Sequence, residues 1–221
     1  MTPDEITVLA GALSQSPTPP LSNYAPAILT SLLDRRDTMA SAFERLAADV
    51  GPMSRAAERL VSALAAGHKA LVAGNGGSAA EAQHFAAELV GRFKRERAAY
   101  AAIALTTDTS VLTAVANDYG YNEVFSRQIA GVGSAGDVFV AFSTSGESSN
   151  LVRACRTARQ MHISTIAVIG SRPCALARLA DVALAAPLAD TATIQELHMA
   201  MTHILCDIVE SELSSREGVR H

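Results

Sequence analysis

From residue 69 onward, short apolar runs recur along the chain: KALVAG (69–74), YAAIAL (100–105), DVFVAFS (137–143), STIAVIG (164–170) and DVALAA (181–186). Segments with helical periodicity lie between most of them. That alternation predicts right-handed βαβ units and a parallel sheet covered by helices on both faces. In such sheets ligands bind beyond the carboxyl ends of the strands. The residues that follow each run are therefore the first place to look for chemistry.

Ahead of the first run, Leu29, Leu32, Leu33, Met39, Phe43, Leu46 and Val50 recur at helical spacing. They predict a helix from Ala25 to about Val50 with Asp34, Arg36 and Asp37 on much of the opposite face. A second helix is expected over Pro52–Ala66. Two amphipathic helices that precede every strand are better used for packing subunits together than for covering the sheet. Residues 1–23, with SQSPTPPLSN, read as a lead-in with little regular structure. The expected organisation is this lead-in, N-terminal helices over 24–66, the α/β domain over 67–215 and a tail at 216–221, with 24–215 folding as one unit.

Composition narrows the function. The 221 residues suffice for one α/β domain with extra helices, and 49% hydrophobic against 18% charged residues is a globular balance. A net charge of −4, 5% aromatics and no tryptophan argue against nucleic-acid binding. No apolar run reaches membrane-spanning length, and MTPDEITVLAGALSQS lacks a basic n-region. Cytoplasmic placement without a membrane partner is expected. Cys155, Cys174 and Cys206 share no C-x-x-C spacing and read as reduced thiols.

Two run ends carry small polar residues. GNGGS, Gly74–Ser78, matches neither G-x-G-x-x-G nor the G-K-[ST] ending of a nucleotide loop. A tight turn that needs glycine at positive φ would explain it as well as a ligand would. STSGESSN, Ser143–Asn150, is more specific: Ser143, Thr144, Ser145 and Ser148 surround one glycine at a helix start. Hydroxyls and free N–H groups at the positive end of a helix suit a phosphate monoester. Ser148 by itself would serve as an N-cap, but the other hydroxyls exceed what capping requires.

His84 and Glu88 stand at i, i+4 and share a helix face. An imidazole and a carboxylate so placed can ligate a divalent metal, and a surface ion pair would look the same. Near the end, LADTATIQELHMAMTHILCDIVESEL opens a helix, with Asp190 or Thr193 as cap, and offers Gln195, Glu196, His198 and His203. A histidine inside MTHILCDIV is costly to bury alone, so His203, more than His198, is expected to need a ligand or hydrogen bond. On one regular helix Gln195 and His203 lie about 12 Å apart at roughly 1.5 Å per residue. Either Gln195 precedes the regular helix or the site combines two subunits.

Taken together, GNGGSAAEAQHFAAEL, AVANDYGYNEVFSRQ, STSGESSN and ADTATIQELHMAMTH resemble, in order, the sugar isomerase (SIS) family, in its branch that interconverts heptose phosphates. The likeness runs from about Asp34 to Glu212. It implies a Rossmann-like αβα domain with a five-stranded parallel sheet, N-terminal helices used in oligomer packing, and a homotetramer with sites near subunit interfaces. It implies Zn²⁺ on the residues matching His84, Glu88, Gln195 and His203. Sugar phosphate would be held at Asn75, Gly76, Gly77, Glu88, Asn117, Asp118, Ser143, Thr144, Ser145, Ser148 and Gln195. Glu88 would be the catalytic base and His203 the acid in converting sedoheptulose 7-phosphate to D-glycero-D-manno-heptose 7-phosphate. Such a product feeds ADP- or GDP-heptose and lipopolysaccharide biosynthesis. Two alternatives accompany this reading: a metal-free binding protein of the type that engages the bacterial replication initiator, and an isomerase of another sugar phosphate. The chain departs from the family at GSRPCALARLAD, Gly170–Asp181, where relatives usually carry paired glycines.

Overall fold

The computed structural model of the chain describes residues 23–217. The expected lead-in, but for its last residue, and the end of the expected tail lie outside the described residues. The chain divides into two compact units, Met1–Thr38 and Met39–His221. In the first, the described residues open helix α1 (Ala25–Ala47). Ile28, Leu29, Leu32 and Leu33 on it are all exposed.

In the second unit, α2 (Gly51–Ala65) follows α1 and carries proline in its first turn, where the missing N–H costs nothing. The predicted first helix thus stops at Ala47, and Val50 becomes the N-cap residue of α2. The alternation then runs β1 (Ala70–Gly74), α3 (Gly77–Val90), β2 (Ala102–Ala104), α4 (Thr109–Tyr119), a 3₁₀ turn (Tyr121–Glu123) and α5 (Val124–Val132). After it come β3 (Val138–Ser143), α6 (Ser149–Gln160), β4 (Ser164–Ile169), α7 (Ala175–Leu179), β5 (Val182–Ala185) and α8 (Thr191–Glu217). Each predicted apolar run holds one strand.

All strand pairs are parallel, in the order β2-β1-β3-β4-β5. Every residue of β1 and β3 is buried, because both have a strand on each side and helices on both faces. Alternation then sorts their side chains. Val72, Val140 and Phe142 join residues of α2, α3 and α8 such as Leu60, Phe85, Leu89, Leu197 and Met201 in one core. Leu71, Ala73, Phe139 and Ala141 join Phe125, Ile129 and Leu151 of α5 and α6 in the other. From β1 the chain first adds β2 on one side, then β3 on the other. The crevice between the carboxyl ends of β1 and β3 is therefore the topological switch point.

Candidate active site

The loops leaving β1 and β3 meet at that crevice. Asn75 Nδ2 donates to Asn150 Oδ1 at 3.0 Å, and Asn150 Nδ2 donates back to Asn75 Oδ1 at 2.9 Å. The Tyr121 hydroxyl donates to the same Asn75 oxygen at 3.1 Å. This amide pair ties the two loops together across 75 positions of sequence. Gly76 has φ 57° and ψ −123°, a conformation open to glycine. At Gly77 a Cβ would stand 2.5 Å from Gln195 Nε2. GNGGS is thus a tight turn and also a surface against which Gln195 lies.

The hydroxyl loop holds its shape without using up its donors. Ser143 Oγ accepts from the Gly146 N–H at 3.0 Å and lies 3.4 Å from Ser148 Oγ. Ser145 Oγ accepts from the Glu147 N–H at 3.3 Å. Ser148 occupies the N-cap position of α6, yet its side chain makes no capping bond. Of the first-turn N–H groups of α6, that of Leu151 donates to Asn150 Oδ1 at 2.9 Å, and those of Ser149 and Asn150 keep their capacity to bind an anion. Glu147 is drawn aside, accepting from the Ala175 N–H at 2.8 Å. A cavity of about 230 Å³ opens beside the loop, lined by Thr144, Ser145, Arg172, Thr191 and Ile194 among others.

On one face of the sheet α3 and α8 lie side by side and run in the same direction, with Gly77 beside Gln195 and His84 beside His203. His84 Nε2 lies 3.1 Å from His203 Nε2 and 3.1 Å from Glu88 Oε1. One ligand atom from each of His84, Glu88 and His203 falls within 4.8 Å of the others. Two imidazole nitrogens and a carboxylate oxygen are a donor set suited to a divalent metal, with a coordination position left for substrate. The i, i+4 pair alone was ambiguous; its convergence with His203 makes it a group that could hold a metal ion.

The remaining site residues are placed unevenly. α8 is regular from Thr191 onward, so the possibility that Gln195 precedes the helix falls away. Gln195 stands at Gly77, about 12 Å of helix from His203 at roughly 1.5 Å per residue. Asn117 and Asp118 are exposed on α4, and Asn117 Nδ2 donates to Asp118 Oδ1 at 2.9 Å.

His198, not His203, is the fully buried histidine of α8. It falls on the stripe of Ile194, Leu197, Met201 and Leu205 that faces the sheet, whereas His203 sits on the shoulder toward α3. At His198 the Ile169 carbonyl, 3.1 Å from Nε2, satisfies one ring nitrogen, while Nδ1 has no hydrogen-bond partner among the described residues and faces Glu81 Oε1 at 3.5 Å. Glu81 was not expected at all. It is buried, and neither carboxylate oxygen has a hydrogen-bond partner among the described residues. Its signal was positional: one turn before Phe85 on the inner face of α3. The three cysteines are free and buried. Burial first, then Glu88 and Glu210, push the Cys206 thiol up to about 12, and burial pushes Cys155 up to about 11. Neither is a ready nucleophile.

The SIS domain family model matches residues 36–170. A phosphoheptose isomerase of Bradyrhizobium sp. (strain ORS 278) is 50% identical over 177 residues, covering 78% of this chain and 89% of that one. A phosphoheptose isomerase of Aliarcobacter butzleri is 45% identical over 188 residues, 85% of this chain and 98% of its own. Among solved structures, a phosphoheptose isomerase from Neisseria gonorrhoeae superposes with a TM-score of 0.77 at 40% identity, covering 85% of this chain and 98% of that one. The parallel sheet, the phosphate-suited loop and these relatives agree, and the chain belongs to the SIS domain family, among its phosphoheptose isomerases.

Proposed function

We propose that this protein is the isomerase that converts sedoheptulose 7-phosphate to D-glycero-D-manno-heptose 7-phosphate, the precursor of activated heptoses for lipopolysaccharide or related products in the cytoplasm. The observation that carries the reading is one of position. The hydroxyl loop and the Asn75–Asn150 pair lie at the carboxyl ends of β1 and β3, and α3, which starts there, carries His84 and Glu88 to His203, on a chain whose relatives bear the isomerase name. Ser143, Thr144, Ser145 and Ser148 with the α6 N-terminus would take the phosphate. Asn75, Gly76, Gly77, Asn117 and Asp118 would line the sugar. Glu88 takes a proton from C1 of the ketose, the electron pair forming the enediolate, and returns it to C2. His203 moves the oxygen-bound proton between O1 and O2.

His84, Glu88 and His203 would hold Zn²⁺, with Gln195 of an adjacent subunit as a further ligand. When bound, the ion supplies a Lewis acid for the carbonyl oxygen. A homotetramer suits the apolar surface on display. In the first unit the described start of α1 exposes Leu29 and Leu32. In the second, an apolar groove of about 690 Å³ is lined by Phe43, Leu46, Met53, Met201, Ile204 and Ile208 among others.

The test is turnover of sedoheptulose 7-phosphate by wild type, Glu88→Gln and His203→Ala, before and after chelation, with mass measured in solution. Loss of turnover in both variants and on chelation is expected. Wild-type activity that survives all three treatments overturns the mechanism, and a tetramer without turnover would make the protein a binder.

A further inference from the structure

The segment between α3 and β2, GRFKRERAAYA (91–101), reads as a solvated basic run. The structure gives it another role. Glu210, 1% exposed on α8, accepts the backbone N–H groups of Phe93, Lys94 and Arg95 at 2.6, 2.8 and 3.0 Å. It also accepts from Arg97 Nε at 3.1 Å. The Arg97 side chain, likewise 1% exposed, donates to the carbonyls of Glu88, Leu89 and Gly91 at 2.7, 2.9 and 3.1 Å. These are carbonyls that the end of α3 leaves unpaired. Its guanidinium lies 3.9 Å from the Tyr100 ring centroid. Outside this buried pair, Lys94 and Arg95 hold Asp207 at 2.9 and 2.7 Å.

The clamp joins the two helices that carry the candidate metal ligands. Arg97 grips the last turn of α3 at Glu88 itself, and Glu210 lies two turns beyond His203 on α8. Between them Phe93 is held by its own N–H, and its ring stacks on the His203 imidazole at 5.2 Å between centroids and 19° between planes. His84 meets His203 at its Nε2 edge, with ring centroids 5.2 Å apart and planes tilted by 53°. A flat ring on one side removes rotational freedom from the imidazole and leaves its Nε2 directed at His84 Nε2.

We propose that Phe93, fixed by the Glu210–Arg97 clamp, is a positioning residue that holds the His203 ring in its ligand geometry. The proposal rests on the metal reading of His84, Glu88 and His203 above. Its test is a Zn²⁺ titration of chelator-stripped protein for wild type, Phe93→Leu and Phe93→Tyr, beside melting temperature and the His203 Hε1 resonance. Phe93→Leu keeps apolar volume but loses the flat face. Its Zn²⁺ affinity should fall about tenfold, the low end for groups that orient a ligand, and Phe93→Tyr should restore it. In the stripped protein the Hε1 resonance, shifted by the stacked ring, should move in Phe93→Leu and return in Phe93→Tyr. Zn²⁺ affinity within twofold of wild type in Phe93→Leu, or an unmoved resonance, overturns the proposal even if melting falls. Wild type that binds no Zn²⁺ overturns the metal reading instead, and the resonance then decides the stack by itself.

Discussion

β3 begins and ends on polar groups, and its two ends are built on opposite principles. At the start, Asp137 is wholly buried and saturated. It accepts the N–H groups of Lys69 and Ser134 at 3.0 and 2.8 Å and pairs with Lys69 Nζ at 2.8 Å. At the finish, Ser148 makes no cap bond, and the nearby Glu81 oxygens have no hydrogen-bond partner among the described residues. α8 repeats the contrast: Glu210 receives four N–H groups, while His203 has, among the described residues, a neighbouring histidine and a flat ring beside it. Saturated polar groups hold the fold. Polar groups that keep hydrogen-bonding capacity, such as the half-buried Ser148 and His203, can take a ligand without breaking a bond that holds the fold.

The contrast can be broken most sharply at the open end. Glu88→Gln should lower turnover by on the order of 10³-fold, the scale of a positioned proton-transfer group, with its melting temperature close to that of wild type. A coupled isomerase assay and a melt on the same preparation measure both. At the saturated end the pattern should invert. Asp137→Ala strands Lys69 and two N–H groups and should cost about 3 kcal/mol in urea unfolding, with kcat of the folded fraction unchanged. Lost kcat with intact stability would mean that saturation is no guide to role.

Smaller effects sharpen the comparison. Ser148→Ala should raise KM about tenfold, close to 1.4 kcal/mol, and leave stability nearly untouched because no capping bond is lost. A stability loss of about 1 kcal/mol would instead make Ser148 an ordinary cap. The least effect concerns pH. At Asp137 and at Glu210 burial works to raise the carboxyl. At Asp137 the Lys69 side chain and the Lys69 and Ser134 N–H groups outweigh it, and at Glu210 the N–H groups of Phe93, Lys94 and Arg95 and the Arg97 charge do so. Both sit below the ordinary values of 3.8 and 4.5. In the acid window the unfolded chain then holds more protons than the folded one. Stability should be fully present above about pH 4.5, decline as pH falls through the lowered values and level off beneath them. Urea titrations across that range measure the slope, and Glu210→Gln should flatten part of it.

The parallel sheet was legible because strands buried on both faces leave continuous apolar runs, and each of the five runs held a strand. STSGESSN was legible because hydroxyls crowd a helix start. The histidines of α8 were harder. Local apolarity around His203 suggested burial, but rotation about the helix axis decides which side chain meets the sheet, and His198 took that place. The basic run over 92–97 gave no sign that Arg97 would be buried, since its partner Glu210 is 113 residues away.

Sequence alone determined the alternating α/β class, and it singled out the hydroxyl loop and the His84/Glu88 pair as candidates, since each is written in local composition or short spacing. Tertiary structure alone decided that His84 and Glu88 meet His203, that Gln195 lies against Gly77, and which buried carboxylates are saturated. Those outcomes depend on how α3 and α8 pack on the sheet, at separations where the chain carries no local record of its neighbours.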